Sequence, residues 1–422
     1  MGLYKKSRYN ILVPYNNETI VFNGFSGAIG KFDIDTMERF NNDKLTQQET
    51  EILLKKGILI PTDFDEIEVI NASRINGICN DKIKNFRIWV TSACNARCYY
   101  CFENDIQSIN MNIETADALV TYIGNTLKKD DVLKIVWFGG EPLLNTYIIN
   151  YITEKLLKLC SKKNIRYRAN IISNGSLVTE EIACRMSNDW KITSAQITLD
   201  GYNEYYDKIK NYYNPKRYNF FNIIKSIKLL VKNNVSVAVR MNYDTSNFDS
   251  LKSLIEYLHV ELKDYKNIDY YIYPIWDALN ESNHDAFRTK TKADYNLIKL
   301  FDLLVDYGMT SAINVARLKY RKHQCKSCNK NYCAFLADGK IVKCSETFNQ
   351  VLGDVWRGII DKEHYDFWIS DALDEKCKKC VYLPLCQGGC RSSYFTKMPQ
   401  CFAYRPIIDD ILKWYVSRLE KG

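Results

Sequence analysis

Three cysteines on one short loop, Cys94, Cys98 and Cys101 in CNARCYYC, have the types and spacing that chemistry needs. Thiolates placed this way can each bind one iron of a cubane cluster and leave its fourth iron open. No fourth cysteine or histidine lies close by, and the chain has only four histidines. A structural metal site is closed by a fourth ligand, whereas a catalytic site keeps one position free. The competing reading is a zinc knuckle completed by a distant residue. A second constellation follows near the C terminus. Cys328, Cys333 and Cys344 bracket a tight Asp-Gly turn, and Cys377, Cys380, Cys386, Cys390 and Cys401 come after a gap. These eight thiols within 74 residues suit two four-thiolate sites, with Cys325 able to stand in for Cys328. A pair of zinc ribbons would satisfy the same spacing.

The elements that must position these residues are legible from period and punctuation. Strands are expected at Phe86–Thr91, Leu133–Phe138, Tyr167–Ser173, Ile192–Leu199, Val235–Asn242 and Ile268–Tyr273. Amphipathic helices fall between them at Ile113–Leu127, Tyr147–Cys160, Thr179–Asn188, Tyr218–Lys232 and Phe248–Leu262, and Ala293–Tyr307 follows the last strand. Six successive β/α units imply a parallel sheet with crossover helices, hence an α/β fold with a partial (β/α)6 barrel, TIM-like but not closed. The cysteine loop directly follows the first strand. The second strand ends in FGGEP, where Gly139 and Gly140 allow close backbone approach and Glu141 offers an acceptor for an ammonium group. Asn174 ends the third strand, Asp200 the fourth, and Arg240 and Asn242 lie on the fifth. Polar residues at these strand ends read as ligand contacts.

The Cys-x3-Cys-x2-Cys loop, with the aromatic Tyr100 before its last cysteine, resembles the defining motif of the radical S-adenosylmethionine (SAM) superfamily. The resemblance implies a 4Fe–4S cluster whose open iron chelates SAM, and cleavage of SAM to a 5′-deoxyadenosyl radical that abstracts hydrogen from substrate. It makes Gly139, Gly140 and Glu141 the element that binds the SAM amino group, and Asn174 and Arg240 contacts of the ribose or carboxylate. The C-terminal cysteines resemble the SPASM extension of peptide-modifying members, which carries two auxiliary 4Fe–4S clusters. By that resemblance Cys328, Cys333, Cys344 and Cys390 hold the first, and Cys377, Cys380, Cys386 and Cys401 the second. In the similar anaerobic sulfatase maturases an aspartate base follows the third of the first set. Here Ser345 and then Glu346 follow Cys344, so that role does not carry over.

Residues 1–80 read as a small α+β module of the winged-helix kind: strands Ile11–Tyr15 and Thr19–Asn23, a helix from about Gly27 to Phe40, a second after Thr46, and a strand Ile58–Ile60. Thr46 with Glu49 has capping-box spacing, and Gly57 can end that helix. The module loosely resembles leader-recognition domains of peptide maturases; a purely bracing role fits the same pattern. Asp63–Ile83 reads as a linker. The expected organisation is therefore module 1–80, barrel 85–315, SPASM extension 322–405 and a terminal helix within 406–422. No run of 18 apolar residues or signal-peptide core is visible, so a cytoplasmic enzyme with no membrane role is expected. In a reducing compartment clustered cysteines bind metal rather than pair, while the isolated Cys79, Cys160 and Cys184 read as buried apolar groups. The 58 basic and 50 acidic residues are dispersed, which argues against a zinc-ribbon nucleic-acid binder. The resulting expectation is three 4Fe–4S clusters, SAM, a precursor-peptide substrate receiving a thioether or carbon–carbon crosslink, and an electron donor of flavodoxin or ferredoxin type. A sulfatase-maturase-like oxidation of Cys or Ser is the enzymatic alternative.

Overall fold

Six parallel strands lie side by side in chain order: Ile83–Thr91, Val132–Gly139, Arg166–Ser173, Ile192–Thr198, Ser236–Tyr243 and Ile268–Pro274. The computed structural model describes residues 4–80, 82–104, 106–275, 293–395 and 401–421. Residues 396–400 of the expected extension lie outside these. Each strand matches its expected position to within three residues at either end. Alternation along Val132–Gly139 shows why: Leu133, Ile135 and Trp137 are buried on one face, while Lys134, Val136 and Phe138 are only partly covered. The crossover helices turn apolar faces inward. Phe220–Lys232, for example, buries Ile223, Ile224, Ile227 and Leu230.

The sheet does not end at the first barrel strand. Tyr332–Phe335 pairs in parallel with its outer edge, Cys333 opposite Phe86, and short antiparallel strands continue from it. The cysteine-rich segment is therefore built onto the barrel sheet by main-chain pairing.

The N-terminal region departs from expectation in two places. The stretch from Gly27 to Phe40 is not one helix. Ile29–Phe32 forms a third antiparallel strand beside Glu18–Asn23, and the helix covers only Ile34–Asn41, capped by Asp33. Thr46 does form a capping box with Glu49, and Gly57 ends that helix at φ +72°. The following strand, Leu59–Pro61, pairs with Tyr4–Lys6. The expected linker is largely the helix Glu66–Ile78. Its inward face includes Glu66 and Arg74, and charged residues on the buried side erase the apolar period that marks a helix.

Arg74 explains where that helix sits. Its guanidinium donates to the carbonyls of Gln387, of Asp371 at 3.3 Å and of Ala372 at 3.2 Å, all in the cysteine-rich region. Arg74→Ala would remove the donor from the Gln387 and Asp371 carbonyls, while Ala372 keeps a bond from Arg391 at 2.9 Å. Hydrogen bonds to charged groups contribute roughly 1.5–3 kcal/mol, so the variant should lose about 2–4 kcal/mol. A lowered urea midpoint would show this; an unchanged midpoint would mean the helix does not clamp the extension.

Candidate functional site

The cysteine loop is shaped by close contact between the ends of the first two barrel strands. A Cβ on Gly139 would lie 1.9 Å from the Thr91 carbonyl oxygen, and one on Gly140 would lie 2.3 Å from that of Ala93. Only glycine permits this approach. The Glu141 amide then donates to the Ala93 carbonyl at 2.8 Å, just before Cys94. The Glu141 carboxylate is fully buried and accepts from Ser173 Oγ at 2.8 Å, Asn174 N at 2.7 Å and Leu143 N at 3.1 Å. Burial nevertheless outweighs these donors and pushes its pKa up to about 7. A cation beside it would restore the charged form.

Cys94, Cys98 and Cys101 face one another closely enough for their charges to interact, and burial pushes the Cys94 and Cys101 thiols up to about 12. Iron binding would displace those protons. Among the described residues, no three His, Cys, Asp or Glu side chains converge as they would around a single metal ion. The three thiols on one loop, a glycine cradle and a buried carboxylate fit a multi-iron cluster carrying an amino-acid ligand. Asn174 reaches back to the loop, donating to Asn95 Oδ1 at 2.9 Å and lying 3.9 Å from Cys94 Sγ.

Tyr100 is placed differently from its neighbours. Its hydroxyl donates to Asp200 at 2.8–2.9 Å, and Asp200 also accepts from Asn242 at 2.8 Å. Arg240 in turn donates to Asn242 Oδ1 at 2.7 Å and stacks over Tyr273. Thus Tyr100 and Arg240, expected as separate cofactor contacts, belong to one hydrogen-bonded chain. Lys210, which the sequence reading passed over, completes it with Nζ 2.8 Å from Asp200 Oδ2. Burial opposes the Lys210 charge, but Asp200 and then Cys98 hold its pKa well above the ordinary range.

Two further carboxyls were not anticipated. Glu103 and Glu346 are half-buried near each other and near Arg87. Burial and then the Glu346 charge raise Glu103 to about 8. Each lies two positions beyond a clustered cysteine, the one signal that could have found them. Glu346 also feels Arg240 on the fifth strand, so the C-terminal segment opens onto the same interior as the barrel loops.

In the C-terminal region the grouping of thiols differs from expectation. Cys344 interacts with Cys325 and Cys390, Cys390 with Cys325, and Cys328 with Cys325. Cys333 joins none of these. It occupies the strand Tyr332–Phe335 and shares the Phe335 face, packed in the barrel core and close to Tyr122. Strand alternation aims it there. Cys325 thus lies close to Cys328, Cys344 and Cys390, and Lys343 lies close to Cys325, Cys328 and Cys333 alike. Cys386 interacts with Cys380, Cys377 and Cys401, the expected second set. Of the isolated cysteines only Cys160 is buried; Cys79 and Cys184 are exposed.

Residues 88–258 match the radical SAM superfamily. Among curated relatives, the chain is 25% identical to the radical SAM cyclopropyl synthase TigE of Paramaledivibacter caminithermalis, over 86% of this chain and 80% of the relative. It is 26% identical to a cysteine-type anaerobic sulfatase-maturating enzyme of Clostridium novyi, over 73% and 88% of the two chains. The solved structure of native anSMEcpe with bound AdoMet and a Cp18Cys peptide shares the fold at TM-score 0.57, with 19% identity, over 80% of this chain and 98% of that one.

An ammonium held by Glu141 requires the carboxylate form. Because burial raises that group to about 7, SAM affinity should increase as pH rises from roughly 6 to 7.5. Glu141→Gln should bind SAM about 10–100-fold more weakly, the loss of a charge-assisted bond, and should lose this pH dependence. Anaerobic equilibrium binding of SAM across that range checks both; equal affinity in wild type and variant would exclude Glu141 as the amino-group ligand.

Proposed function

Because the chain is a radical SAM enzyme, built on a radical SAM domain, we propose that it is a maturase that abstracts hydrogen from a ribosomal precursor peptide and installs a thioether or carbon–carbon crosslink. The observation that carries this reading is the shared interior. Arg87 on the first barrel strand donates to Ser345 Oγ, directly after Cys344. Glu103 beyond the Cys94–Cys101 loop lies near Arg87 and Glu346, and Glu346 near Arg240 on the fifth strand. A substrate lying there would contact barrel and extension together.

In this reading Cys94, Cys98 and Cys101 bind a 4Fe–4S cluster, and Gly139, Gly140 and Glu141 receive the amino group of SAM. With these bound, the site supplies a 5′-deoxyadenosyl radical. Asn174 orients the loop from below, and the Asp200 network holds Tyr100 and Arg240 at the strand ends. Cys325, Cys328, Cys344 and Cys390 would hold one auxiliary cluster, and Cys377, Cys380, Cys386 and Cys401 the other. An external one-electron donor of ferredoxin or flavodoxin type would reduce the enzyme.

The N-terminal module would hold the leader part of the peptide. Its strand Ile29–Phe32 pairs on one side only among the described residues, leaving an edge to which an extended segment can add. The module also braces the fold. Phe25 packs edge-on to Tyr320 with ring centroids 5.3 Å apart, and Lys31 pairs with Glu420 at 2.6 Å. Deleting it would confound recognition with stability, so the leader is the better place to intervene.

Four outcomes test the proposal. Cys98→Ala should abolish 5′-deoxyadenosine formation. The triple Ala variant of Cys94, Cys98 and Cys101 should keep roughly eight of about twelve irons. SAM cleavage at the wild-type rate in Cys98→Ala would sink the cluster assignment. Co-expression with a small peptide encoded beside the enzyme should yield product that has lost two hydrogens. Loss of sulfur from a cysteine, or loss of two hydrogens from a single serine with no link between residues on fragmentation, would instead indicate sulfatase-maturase chemistry. Proline at alternate leader positions should block modification, while most other leader changes should be tolerated; equal tolerance of proline would exclude strand addition.

A further inference from the structure

We infer that the buried Lys210–Asp200 pair sets the reduction potential of the cluster held by Cys94, Cys98 and Cys101, an inference that rests on the cluster reading above. Lys210 ends the helix Asn203–Lys210, beyond the fourth barrel strand, and both members of the pair are buried. Its ammonium lies 2.8 Å from Asp200 and 3.3 Å from the Tyr100 hydroxyl, so it meets the cysteine loop between Cys98 and Cys101.

Main-chain bonds fix that meeting. The Arg97 amide donates to the Lys210 carbonyl at 2.9 Å, and the Tyr213 amide donates to the Asn95 carbonyl at 3.1 Å. The Arg97 guanidinium covers the Tyr213 ring at 4.7 Å. The segment 210–213 thus grips the loop on both sides of Ala96. Neither a turn signal nor a ligand motif marks it in the sequence.

A fully buried ion pair is normally a poor source of stability, since desolvation offsets the attraction. Here it stands beside thiols whose cluster must accept an electron. Reduction by an external one-electron donor adds one negative charge to the cluster, with no bond formed or broken. In a dry site a nearby cation stabilises the reduced state, and an anion opposes it. Of the two charges, that of Lys210 lies 3.3 Å from the hydroxyl of Tyr100, the residue next to Cys101. Lys210 is accordingly a positioning residue, acting through Asp200, Tyr100 and its own charge.

Potentiometry of the full-length, anaerobically reconstituted enzyme tests this, reading the electron paramagnetic resonance signal that changes on adding SAM. Asp200→Asn should raise the potential and Lys210→Met should lower it. The double variant should fall between them, and Lys210→Arg should stay near wild type. At one fixed solution potential the reduced signal should therefore be larger in Asp200→Asn and smaller in Lys210→Met. Should Lys210→Met fail to fold because it strands a buried carboxylate, the comparison of Asp200→Asn with the double variant isolates the lysine charge. Equal potentials in that pair, or shifts of the same sign in the two single variants, would overturn the inference. A wild type with no SAM-sensitive signal would remove the cluster reading and this inference with it; a normal signal whose potential the substitutions leave unmoved removes this inference alone.

Discussion

The site depends on one close approach, that of the Gly139–Gly140 backbone to the carbonyls of Thr91 and Ala93. Gly139 adopts φ +136°, and the Gly140 and Glu141 amides donate to those two carbonyls at 3.2 and 2.8 Å. The first strand is thereby stitched to the second at the point where the cysteine loop begins. A methyl group at either glycine would push against main-chain atoms, which cannot swing aside as a flexible side chain can. From this join the loop's direction, the depth of Glu141 and the reach of Ser173 and Asn174 all follow. Two residues without side chains set the frame for those whose side chains act.

Much of this was legible in the sequence because it rests on short-range rules. Parallel strands carry apolar runs, helices between them carry a 3.6-residue period, and glycine pairs after a strand announce a close approach. Thr46 and Glu49 form their capping box as spaced. What stayed hidden depends on distant partners. Ile29–Phe32 is a four-residue strand with a glycine in it, and pairing with Glu18–Asn23 rather than its own composition makes it one. Lys210 lies in a segment whose sequence marked no element, and the fold makes it the end of a helix and buries it against Asp200. Cys325 and Cys328 are equally workable ligands by spacing. Cys333, by contrast, lies on a strand whose alternate residues face opposite ways, and it shares the face of Phe335.

The interior between barrel and extension is unusually rich in charge. Glu103, Glu346, Arg87 and Lys326 are drawn together from segments distant in sequence, and burial followed by the Arg87 charge lowers Lys326 to about 8. Glu103 Oε2 and Arg87 Nε are buried without a hydrogen-bond partner among the described residues. Leaving such groups unmet costs free energy that a purely structural core would avoid.

The helix Ile408–Lys421 packs against the strands Asn10–Tyr15 and Glu18–Asn23, and Glu420 accepts a bond from Tyr15 at 3.1 Å. Ribosomes deliver a chain in order, and early segments generally fold as they emerge. Here the first sheet reaches its finished surroundings only when one of the last helices has left the exit tunnel. During most of synthesis its apolar face must stay exposed or be shielded by a chaperone. Closure of that sheet is thereby tied to a partner 405 positions along the chain, and loss of the helix Ile408–Lys421 would leave an open sheet prone to aggregation.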